Sequence, residues 1–475
     1  MTIQKKSDAG WCFDNSFTHL PEVFFSSTKP EPVRHAGQIL LNDTLAEDLG
    51  LNVEILRSTG AQVFAGNEMP PGAMPLAQAY AGHQFGHFTN LGDGRAILLG
   101  EHLTPDKQRV DVQLKGSGRT PYSRSGDGRA ALGPMIREYI ISEGMESLGI
   151  PTTRSLAVTA TGESVLRSTP LPGAILTRIA KSHIRVGTFQ YAAALGDKEN
   201  LSQLLAYTVD RHYPELQDSD DLPFVFFEAV LDRQADLVSQ WMLVGFVHGV
   251  MNTDNSHVAG ITIDYGPCAF MDQFVPTKVF SSIDRQGRYA YNNQAKMAAW
   301  NLAQLATALL PLAAEREAAI EHYTEIIHGF SDTFEKAYEK AYSQKIGYSA
   351  CKESSKMIQS LLKMMAEQRA DYTQTFRALG EGKADEHIGD HPHFKQWYEN
   401  WSKEAKTKEL CQVNPAIIPR NHLIEEMISK AITGDMELFY SLNHALNAPF
   451  ENPQNPRLGM PPEINEEVTA TFCGT

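Results

Sequence analysis

The spacing of apolar residues divides the chain into a strand-rich stretch that ends near residue 180 and a helix-rich stretch that begins at Leu201. Apolar side chains alternate with polar ones, or run between turn-forming residues, as is typical of strands. Strands are predicted over 96–100, 110–115, 154–158, 164–167 and 174–179. Turns are predicted at 104–107 and at 161–162, and the first of them joins its two strands into an antiparallel hairpin.

A helix is predicted to begin at Pro134, where the missing amide hydrogen of proline costs nothing, and to end before Gly149. Its apolar residues recur at helical spacing, and Glu138 lies one turn in, at the border of that apolar stripe. A polar cluster at 248–255 follows a strongly apolar segment, and helical periodicity dominates from Ala295 onward.

The amino-acid composition limits the kinds of molecule that the protein is expected to bind. The 475 residues include 42 Lys and Arg against 57 Asp and Glu, so the formal charge is −15 and general binding of nucleic acid is not expected. No apolar run approaches the ~18 residues of a membrane-spanning helix. The N-terminal residues show neither a secretory signal nor a transit peptide, which predicts a cytoplasmic protein. The five cysteines form no Cys-x-x-Cys pair, which argues against a disulfide framework or a structural zinc site.

One region of this acidic chain is basic and rich in glycine. Residues 82–133 hold ten of the 35 glycines, together with seven Arg or Lys residues. They include three Gly-x-Gly-Arg turns, at 92–95, 116–119 and 126–129, each of which offers backbone amides and a guanidinium to an anion. None of the three has the Gly-Lys-Ser/Thr of a Walker loop or the setting of a dinucleotide fingerprint. The region is therefore the predicted anion site.

The order of the polar residues along the chain is that of a protein kinase. The glycine-rich turn at 92–95 is followed by Lys115 on a strand, Glu138 on a helix, the cluster 248–255, and the Asp264-Tyr-Gly motif. In kinases these parts hold the nucleotide phosphates, accept a hydroxyl proton and bind the metal ion. Taken singly, each has a structural alternative, such as an ordinary strand-end lysine or a solvated helix glutamate. Their combination in this order favours a nucleotide site.

Asp254 and Asn255 place two oxygen-bearing side chains side by side. Adjacent polar residues after an apolar helix are often a cap, but the Asp264 that follows nine residues after Asn255 favours a metal site. His83 and His87, four residues apart, share a face if they are helical. Without a third ligand nearby, packing or hydrogen bonding is the preferred interpretation for them.

The chain resembles the selenoprotein O family. The segments that carry the resemblance are YAGHQFGH at 80–87, NLGDGRA at 90–96, LKGSGRTPYSR at 114–124, DGRAALG at 127–133, and 248–264. The resemblance covers most of the chain. It implies a kinase-like fold that binds ATP in a flipped orientation and transfers AMP, rather than phosphate, to protein hydroxyls, with Mg²⁺ or Mn²⁺ as the metal.

The resemblance also implies roles for individual residues. Asp254 is the expected proton acceptor, Asn255 and Asp264 are the expected metal ligands, and Glu138 is expected to pair with Lys115. The residues expected around ATP are Gly92, Gly94, Arg95, Lys115, Asp127, Gly128, Arg178, Arg185 and Asp264. Lys115, Arg178 and Arg185 would neutralise the pyrophosphate leaving group. Without the resemblance, Arg178 and Arg185 also fit an edge-strand charge pair.

Two features depart from related patterns. Asp254 and Asn255 are adjacent, whereas the equivalent kinase residues are five apart, so phosphate transfer is less favoured. Longer family members end in a Cys-x-x-selenocysteine or Cys-x-x-Cys pair, but this chain has only Cys473 near its end. Because Cys268 lies four residues after Asp264, a regulatory disulfide between Cys268 and a mobile tail bearing Cys473 is one hypothesis, and two free thiols are the alternative.

The sequence thus predicts a two-lobed, protein-kinase-like α+β fold. The expected parts are an N-terminal extension at 1–80, an N-lobe with the nucleotide site at 81–175, a mostly helical C-lobe at 176–330 and a helical C-terminal region at 331–475. The predicted function is a monomeric, ATP-dependent protein adenylyltransferase that acts on Ser, Thr or Tyr hydroxyls. The alternatives are a protein kinase or UMP transferase on the same fold, and a nucleotide-binding pseudokinase scaffold.

Overall fold

A computed structural model of the chain describes residues 9–84 and 86–472. Within these residues the strands are β1 Phe25–Ser27, β2 Gly37–Leu41, β3 Leu76–Gln78, β4 Ala81–Gln84, β5 His87–Asn90, β6 Ala96–Leu103, β7 Arg109–Lys115, β8 Ala130–Ala131, β9 Arg154–Leu166, β10 Pro170–Ala180, β11 Phe246–Val247 and β12 Ala269–Phe270. The helices before residue 330 are α1 Asp43–Asp48, α2 Val53–Phe64, α3 Leu132–Ser147, α4 Val186–Ala194, α5 Lys198–His212, α6 Leu222–Leu243, α7 Gln294–Leu309 and α8 Arg316–His328. Those from residue 330 onward are α9 Phe330–Lys345, α10 Lys352–Gln368, α11 Tyr372–Glu381, α12 Asp385–Ile388, α13 Phe394–Trp401, α14 Leu410–Val413, α15 Asn421–Ile432 and α16 Glu437–Leu446. The mixed content confirms the α+β prediction.

An antiparallel sheet organises the first half of the chain. Seven of its strands follow the order β1-β3-β6-β7-β10-β9-β2, and β8 pairs with β10. The predicted hairpin is present as β6 and β7, and Lys115 at the end of β7 lies opposite Ala96 on one side and Leu176 on the other. Lys115 therefore stands in the middle of the sheet, between strands that hold its backbone in register.

The prediction of a turn at 161–162 is wrong. A single strand, β9, runs from 154 to 166 and pairs with β10, and the chain reverses at 167–169, where the Arg167 amide donates to the Thr169 carbonyl. Gly162 has a φ of +66° within this strand, and the pairing shifts in register between Pro172 and Ala174. The glycine thus marks an irregularity in a continuous strand. In the sequence, a glycine at such an irregularity looks the same as a glycine in a turn.

Helices cover both faces of the sheet. On one face Leu114 and Ile175 pack in a core with Leu56 of α2, and on the other Leu176 packs in a core with Ile136 and Ile140 of α3. The second core continues into the helical half of the chain. Helix α3 begins two residues before the predicted Pro134, and nearly every residue in it is buried, including Glu138. Its glutamate is therefore shielded from bulk solvent.

The described helices carry no stretch that combines the length and apolarity needed to cross a bilayer. The predicted switch to helices after Leu201 is confirmed, since α5 contains this residue and only the short β11 and β12 follow it among the described strands.

Lys345, the last residue of α9, is a buried cation without a counter-ion. Its side chain forms no ion pair with any residue that the structure describes, and its Nζ lies 4.5 Å from the Phe376 ring centroid. Burial lowers the pKa of this ammonium group to about 7. In the unfolded chain the pKa of lysine is about 10.4, so the unfolded state binds a proton that the folded state lacks between these two values. The stability of the protein therefore rises with pH across that window.

Replacing the buried amine should stabilise the protein. We expect Lys345→Met to raise the free energy of unfolding at pH 7.5 by about 1–3 kcal/mol, because methionine carries no charge that must be desolvated. The gain should shrink as the pH rises through about 10.4, because the amine then loses its proton in the unfolded state as well. Lys340→Met, at an exposed position on the same helix, is the matched control. Urea unfolding at several pH values measures both, and an unchanged or lower stability of Lys345→Met would contradict the prediction.

Candidate functional site

A cleft of about 890 Å³ opens beside the central strands of the sheet. Its lining includes the ends of β7 and β10, the glycine-rich turns and the loop that follows β11. The predicted site residues that line it are Gly92, Gly94, Arg95, Lys115, Asp127, Gly128, Arg178, Arg185, Asp254, Asn255 and Asp264. Glu138 lies beside it in an adjoining cavity of about 170 Å³, which also contacts Lys115 and Asp264. The fold thus brings residues that are up to 172 positions apart into one place.

A shared carboxylate lies at the centre of the site. Glu138 Oε2 accepts from Lys115 Nζ at 2.6 Å, and its other oxygen, Oε1, accepts from Arg178 Nε at 2.9 Å. Arg178 also donates to Gln113 Oε1 at 3.1 Å. All three charged side chains are less than 10% exposed. The predicted pairing of Glu138 with Lys115 is present. Arg178 was expected to hold phosphate, but its guanidinium donates hydrogen bonds to Glu138 and Gln113.

Asp264 joins this cluster from the helical half of the chain. Its Oδ1 lies 3.2 Å from Lys115 Nζ. Burial alone would raise the pKa of Asp264, but the cations Lys115, Arg95 and Arg178 hold it well below its usual range. The residue has a φ of +66°, a left-handed conformation that is uncommon for a residue other than glycine. His248 supports the turn by donating from Nε2 to the Ile263 carbonyl at 3.0 Å.

Asp254 lies in a single 3₁₀ turn, Thr253–Asn255. Its Oδ1 is buried and has no hydrogen-bond partner among the described residues. Burial raises the pKa of Asp254 to about 6. The β4–β5 hairpin packs on this turn, since the His83 amide donates to Thr253 Oγ1 at 2.7 Å. A Cβ at Gly82 would lie 2.3 Å from Asp254 Oδ1, so only glycine permits this approach.

Asn255 and Asp264 offer the oxygen ligands that magnesium and manganese take in proteins. Asn255 Nδ2 donates to the Val250 carbonyl at 3.1 Å, and no described residue donates to its amide oxygen, which is left for a ligand. Across residues 9–84 and 86–472 no group of three or more His, Cys, Asp or Glu side chains could hold an ion. A divalent ion here would therefore need further oxygens from water or a phosphate, which is how Mg²⁺ commonly binds.

Arg185 is another cation that faces the cleft. It lies beside Tyr80 and Asp93, to which sequence reasoning gave no role. Its Cζ lies 4.2 Å from the ring centroid of Tyr80, and one guanidinium nitrogen lies 3.8 Å from Asp93 Oδ1. That same nitrogen is buried and makes no hydrogen bond within the described residues. Asp93 is itself buried, which raises its pKa. Tyr80 and Asp93 lie within the segments 80–87 and 90–96, which carry the family resemblance. Their place in these segments is the sequence signal that could have identified them.

The glycine-rich turns have different tasks. Gly92 has a φ of +124°, and a Cβ there would lie 2.4 Å from the Tyr122 ring. Gly128 has a φ of +67°, and its Cβ would collide with the Gly118 carbonyl oxygen at 2.0 Å. The turns at 92–95 and 126–129 line the cleft, whereas the turn at 116–119 packs behind them and does not. Of the three Gly-x-Gly-Arg turns, the two that hold the glycines expected around ATP are thus the ones that lie at the cleft.

The lining of the cleft is cationic although the protein is acidic. It contains seven Arg or Lys side chains and four Asp side chains. Sequence reasoning assigned no role to two of these cations, Arg124 and Arg167, and included Arg129 only as the arginine of a Gly-x-Gly-Arg turn. Arg167 pairs with Asp127, with 2.9 Å between its terminal nitrogen and Oδ2, so Asp127 is held by a partner 40 residues away that no motif indicates. Such a lining attracts a polyanion such as a nucleotide triphosphate.

Comparison with known proteins now identifies the family. The family model "Protein adenylyltransferase SelO" matches residues 10–447. The chain belongs to the SelO family.

Relatives agree over their full lengths. A "Protein nucleotidyltransferase YdiU" of Ruegeria pomeroyi is 52% identical, with 98% of this chain and 99% of that protein covered. Proteins of the same name from Geobacillus kaustophilus and Nitrosococcus oceani are 51% and 50% identical, with 98% and 100% of this chain and 100% and 99% of those proteins covered. The predicted family and the prediction of a protein nucleotidyltransferase are confirmed.

Two expectations on other residues have different outcomes. His83 is hydrogen-bonded, 2.8 Å from its Nδ1 to Gln190 Nε2, as preferred, but His83 and His87 lie on the paired strands of a hairpin rather than on a helix.

Cys268 is buried and burial raises the pKa of its thiol to about 12. Cys473 lies outside the described residues, so its pairing with Cys268 stays a prediction. Thr471 donates from Oγ1 to the Pro267 carbonyl at 2.5 Å, so the tail is attached up to this point rather than mobile as expected.

Because Glu138 binds two cations, replacing Glu138 should lower the stability of this SelO-family protein more than replacing one of its partners. Glu138→Ala leaves buried Arg178 without a carboxylate and Lys115 with Asp264 alone, so we expect it to lower the free energy of unfolding by about 3–5 kcal/mol. Lys115→Met should cost less than half as much, because Glu138 keeps Arg178 as a partner. Glu146→Ala, on the exposed side of the same helix, is the control. Urea unfolding measures all three, and equal costs for Glu138→Ala and Lys115→Met would show that the carboxylate is not shared.

Proposed function

We propose that this protein transfers AMP from ATP to Ser, Thr or Tyr hydroxyls of proteins, with Mg²⁺ or Mn²⁺, on a two-lobed protein-kinase-like fold. The observation that carries the proposal is the convergence of the Lys115–Glu138 pair, Asp254 and Asp264 on one cationic cleft. The family name supports adenylyl transfer, and the relatives' names support nucleotidyl transfer.

The proposed lobes meet at the cleft. The first is the sheet with α3, and the second is the helical half that contains the Asp254 turn and Asp264. We retain the boundaries 81–175 and 176–330 for these lobes, with 1–80 and 331–475 as flanking regions. Strands β1 to β3 of the first flanking region pair within the large sheet, so we propose that this region is an integral part of the first lobe.

The reaction requires one proton acceptor. As the acceptor hydroxyl oxygen forms its bond to the α-phosphorus, the bond from that phosphorus to the bridging oxygen breaks, and pyrophosphate leaves. The hydroxyl proton passes to Asp254, whose Oδ1 is free of any partner among the described residues. The turn that carries Asp254 is held by the β4–β5 hairpin, which supports a fixed position for this oxygen.

The cations divide into binding and positioning groups. The Arg95 side chain makes no hydrogen bond or ion pair with another described residue, and one buried guanidinium nitrogen of Arg185 makes no hydrogen bond, so both are available to phosphate oxygens. Lys115 is placed to bridge from the shared carboxylate to the phosphates. Arg178 acts through Glu138, because its guanidinium is already engaged. These charges stabilise the negative charge that builds on the leaving pyrophosphate.

Asn255 and Asp264 would hold the divalent ion. When bound, that ion supplies positive charge at the phosphate oxygens. The position of Asp264 is fixed by Lys115, which keeps its carboxylate ionised. A protein acceptor, a monomeric state and a cytoplasmic location remain predictions from the sequence.

The reaction class is tested by the position of the transferred phosphorus. We expect label from [α-³²P]ATP, but not from [γ-³²P]ATP, to be retained on the protein or on an added protein acceptor, with an added mass of one AMP. Label from the γ-position alone would indicate a kinase, and label from [α-³²P]UTP in preference to ATP would indicate a UMP transferase. Nucleotide binding without any label would favour the scaffold.

Asp254→Asn should separate chemistry from binding. We expect it to reduce AMP transfer at least ~100-fold, because the amide cannot accept the proton, while the dissociation constant for ATP changes less than about threefold. Asp220→Asn, at an exposed position, is the control. Single-turnover labelling and isothermal titration measure the two quantities. Transfer by Asp254→Asn within tenfold of the wild type would contradict the role given to Asp254.

A further inference from the structure

Helix α3 packs against the C-terminal helices as well as against the sheet. A Cβ at Gly133 would lie 2.9 Å from Ile428 Cγ2 of α15, and a Cβ at Gly144 would lie 2.9 Å from Pro419 Cγ. Glycine at these two positions lets the C-terminal region approach the helix backbone closely. The helix that carries Glu138 therefore has little freedom to move without also moving α15.

Arg137, next to Glu138, links three parts of the molecule. Its guanidinium donates to the carbonyls of Gly266 and Cys268, at 3.2 and 2.6 Å. It also donates to Asn421 Oδ1 and Glu425 Oε1 of α15, at 3.3 and 3.2 Å. The side chain is only 6% exposed. One buried cation thus ties α3 to α15 and to the segment that follows Asp264.

Arg420, immediately before α15, makes a second link to the same segment. It is 1% exposed and pairs with Asp272, and with Asp371 Oδ2 at 2.8 Å. Burial opposes the charge of Arg420, but the two carboxylates raise its pKa. Asp272 lies eight residues after Asp264. The chain from Asp264 to Asp272 is therefore held by Arg137 in its first half and by Arg420 at its end.

A buried charge that is desolvated adds little net stability, but it fixes the arrangement of the groups it joins. Asp264 needs such fixation, because its left-handed backbone conformation is maintained only by its surroundings. Neither Asn421 nor Glu425 lines the large cleft. Glu425 lines the adjoining cavity that also contacts Glu138, and the hydrogen bonds of both residues to Arg137 connect them to the Asp264 segment.

We propose that α15 is a built-in positioning element of the catalytic centre, which holds Glu138 against Lys115 and fixes the Asp264 segment through the buried guanidiniums of Arg137 and Arg420. The proposal rests on the proposed function for its kinetic consequences. Arg137 is in this account a positioning residue, since it touches neither the cleft lining nor Asp254. The C-terminal region thereby does within one chain what a separate activating partner would do.

The test uses the full-length protein with Asn421→Ala and Glu425→Ala combined. We expect kcat for AMP transfer to fall about tenfold or more while KM for ATP changes less than about threefold, because the contacts to nucleotide are intact. The conservative pair Asn421→Asp and Glu425→Gln keeps acceptors for Arg137 and should restore kcat. Lys430→Ala, on α15 but paired with Glu426, is the control. Unchanged kcat in the double alanine variant, or failure of the conservative pair to restore it, would overturn the proposal.

A second measurement does not depend on the reaction. Hydrogen–deuterium exchange of the backbone amides at 264–272 should be faster in the double alanine variant than in the wild type, and unchanged in Lys430→Ala. Unaltered exchange there would overturn the positioning role even if the wild type transfers AMP. Faster exchange in the double alanine variant, when the wild type itself transfers no AMP, would support the positioning role and refute only the proposed function.

Discussion

The buried carboxylate of Glu138 is the interaction on which the rest of the site depends. Its two oxygens take cations from adjacent strands, Lys115 of β7 and Arg178 of β10. A carboxylate can be buried only if it is paired, and the two cations can be buried only because it is there. The sheet, α3 and the Asp264 segment are therefore fixed relative to one another at a single point.

The same pairing explains how an acidic protein keeps a cationic cleft. Lys115 and Arg178 are paired with Glu138, and Lys115 also with Asp264, whereas the side chains of Arg95 and Arg124 form no ion pair with a described residue. Arg95, Arg124 and Arg185 therefore carry charge that remains available to a phosphate chain. Asp254 stands apart from these pairs, buried and with one free oxygen among the described residues. One part of the cleft thus attracts phosphate and another accepts a proton, which suits group transfer from a nucleotide.

The order and spacing of motif residues predicted much of the site, and the geometry supports their convergence. Lys115, Glu138, Asp254 and Asp264 are identified by their order along the chain and by the family resemblance, which do not require the fold. Arg137, Arg167 and Arg420 have partners far away in the chain and no local pattern, so only the three-dimensional structure identifies them. The turn expected near Gly162 failed for a related reason: a glycine in a continuous strand and a glycine in a turn look alike in sequence.

The central claim is that the cleft directs the α-phosphorus of ATP, rather than the γ-phosphorus, toward Asp254. The most direct measurement is an experimental structure of the wild-type protein with a non-hydrolysable ATP analogue and Mg²⁺. We predict that the α-phosphate lies nearest to Asp254, with the β- and γ-phosphates against Lys115, Arg95 and Arg185. A γ-phosphate nearest to Asp254, with the α-phosphate toward the cations, would contradict the account.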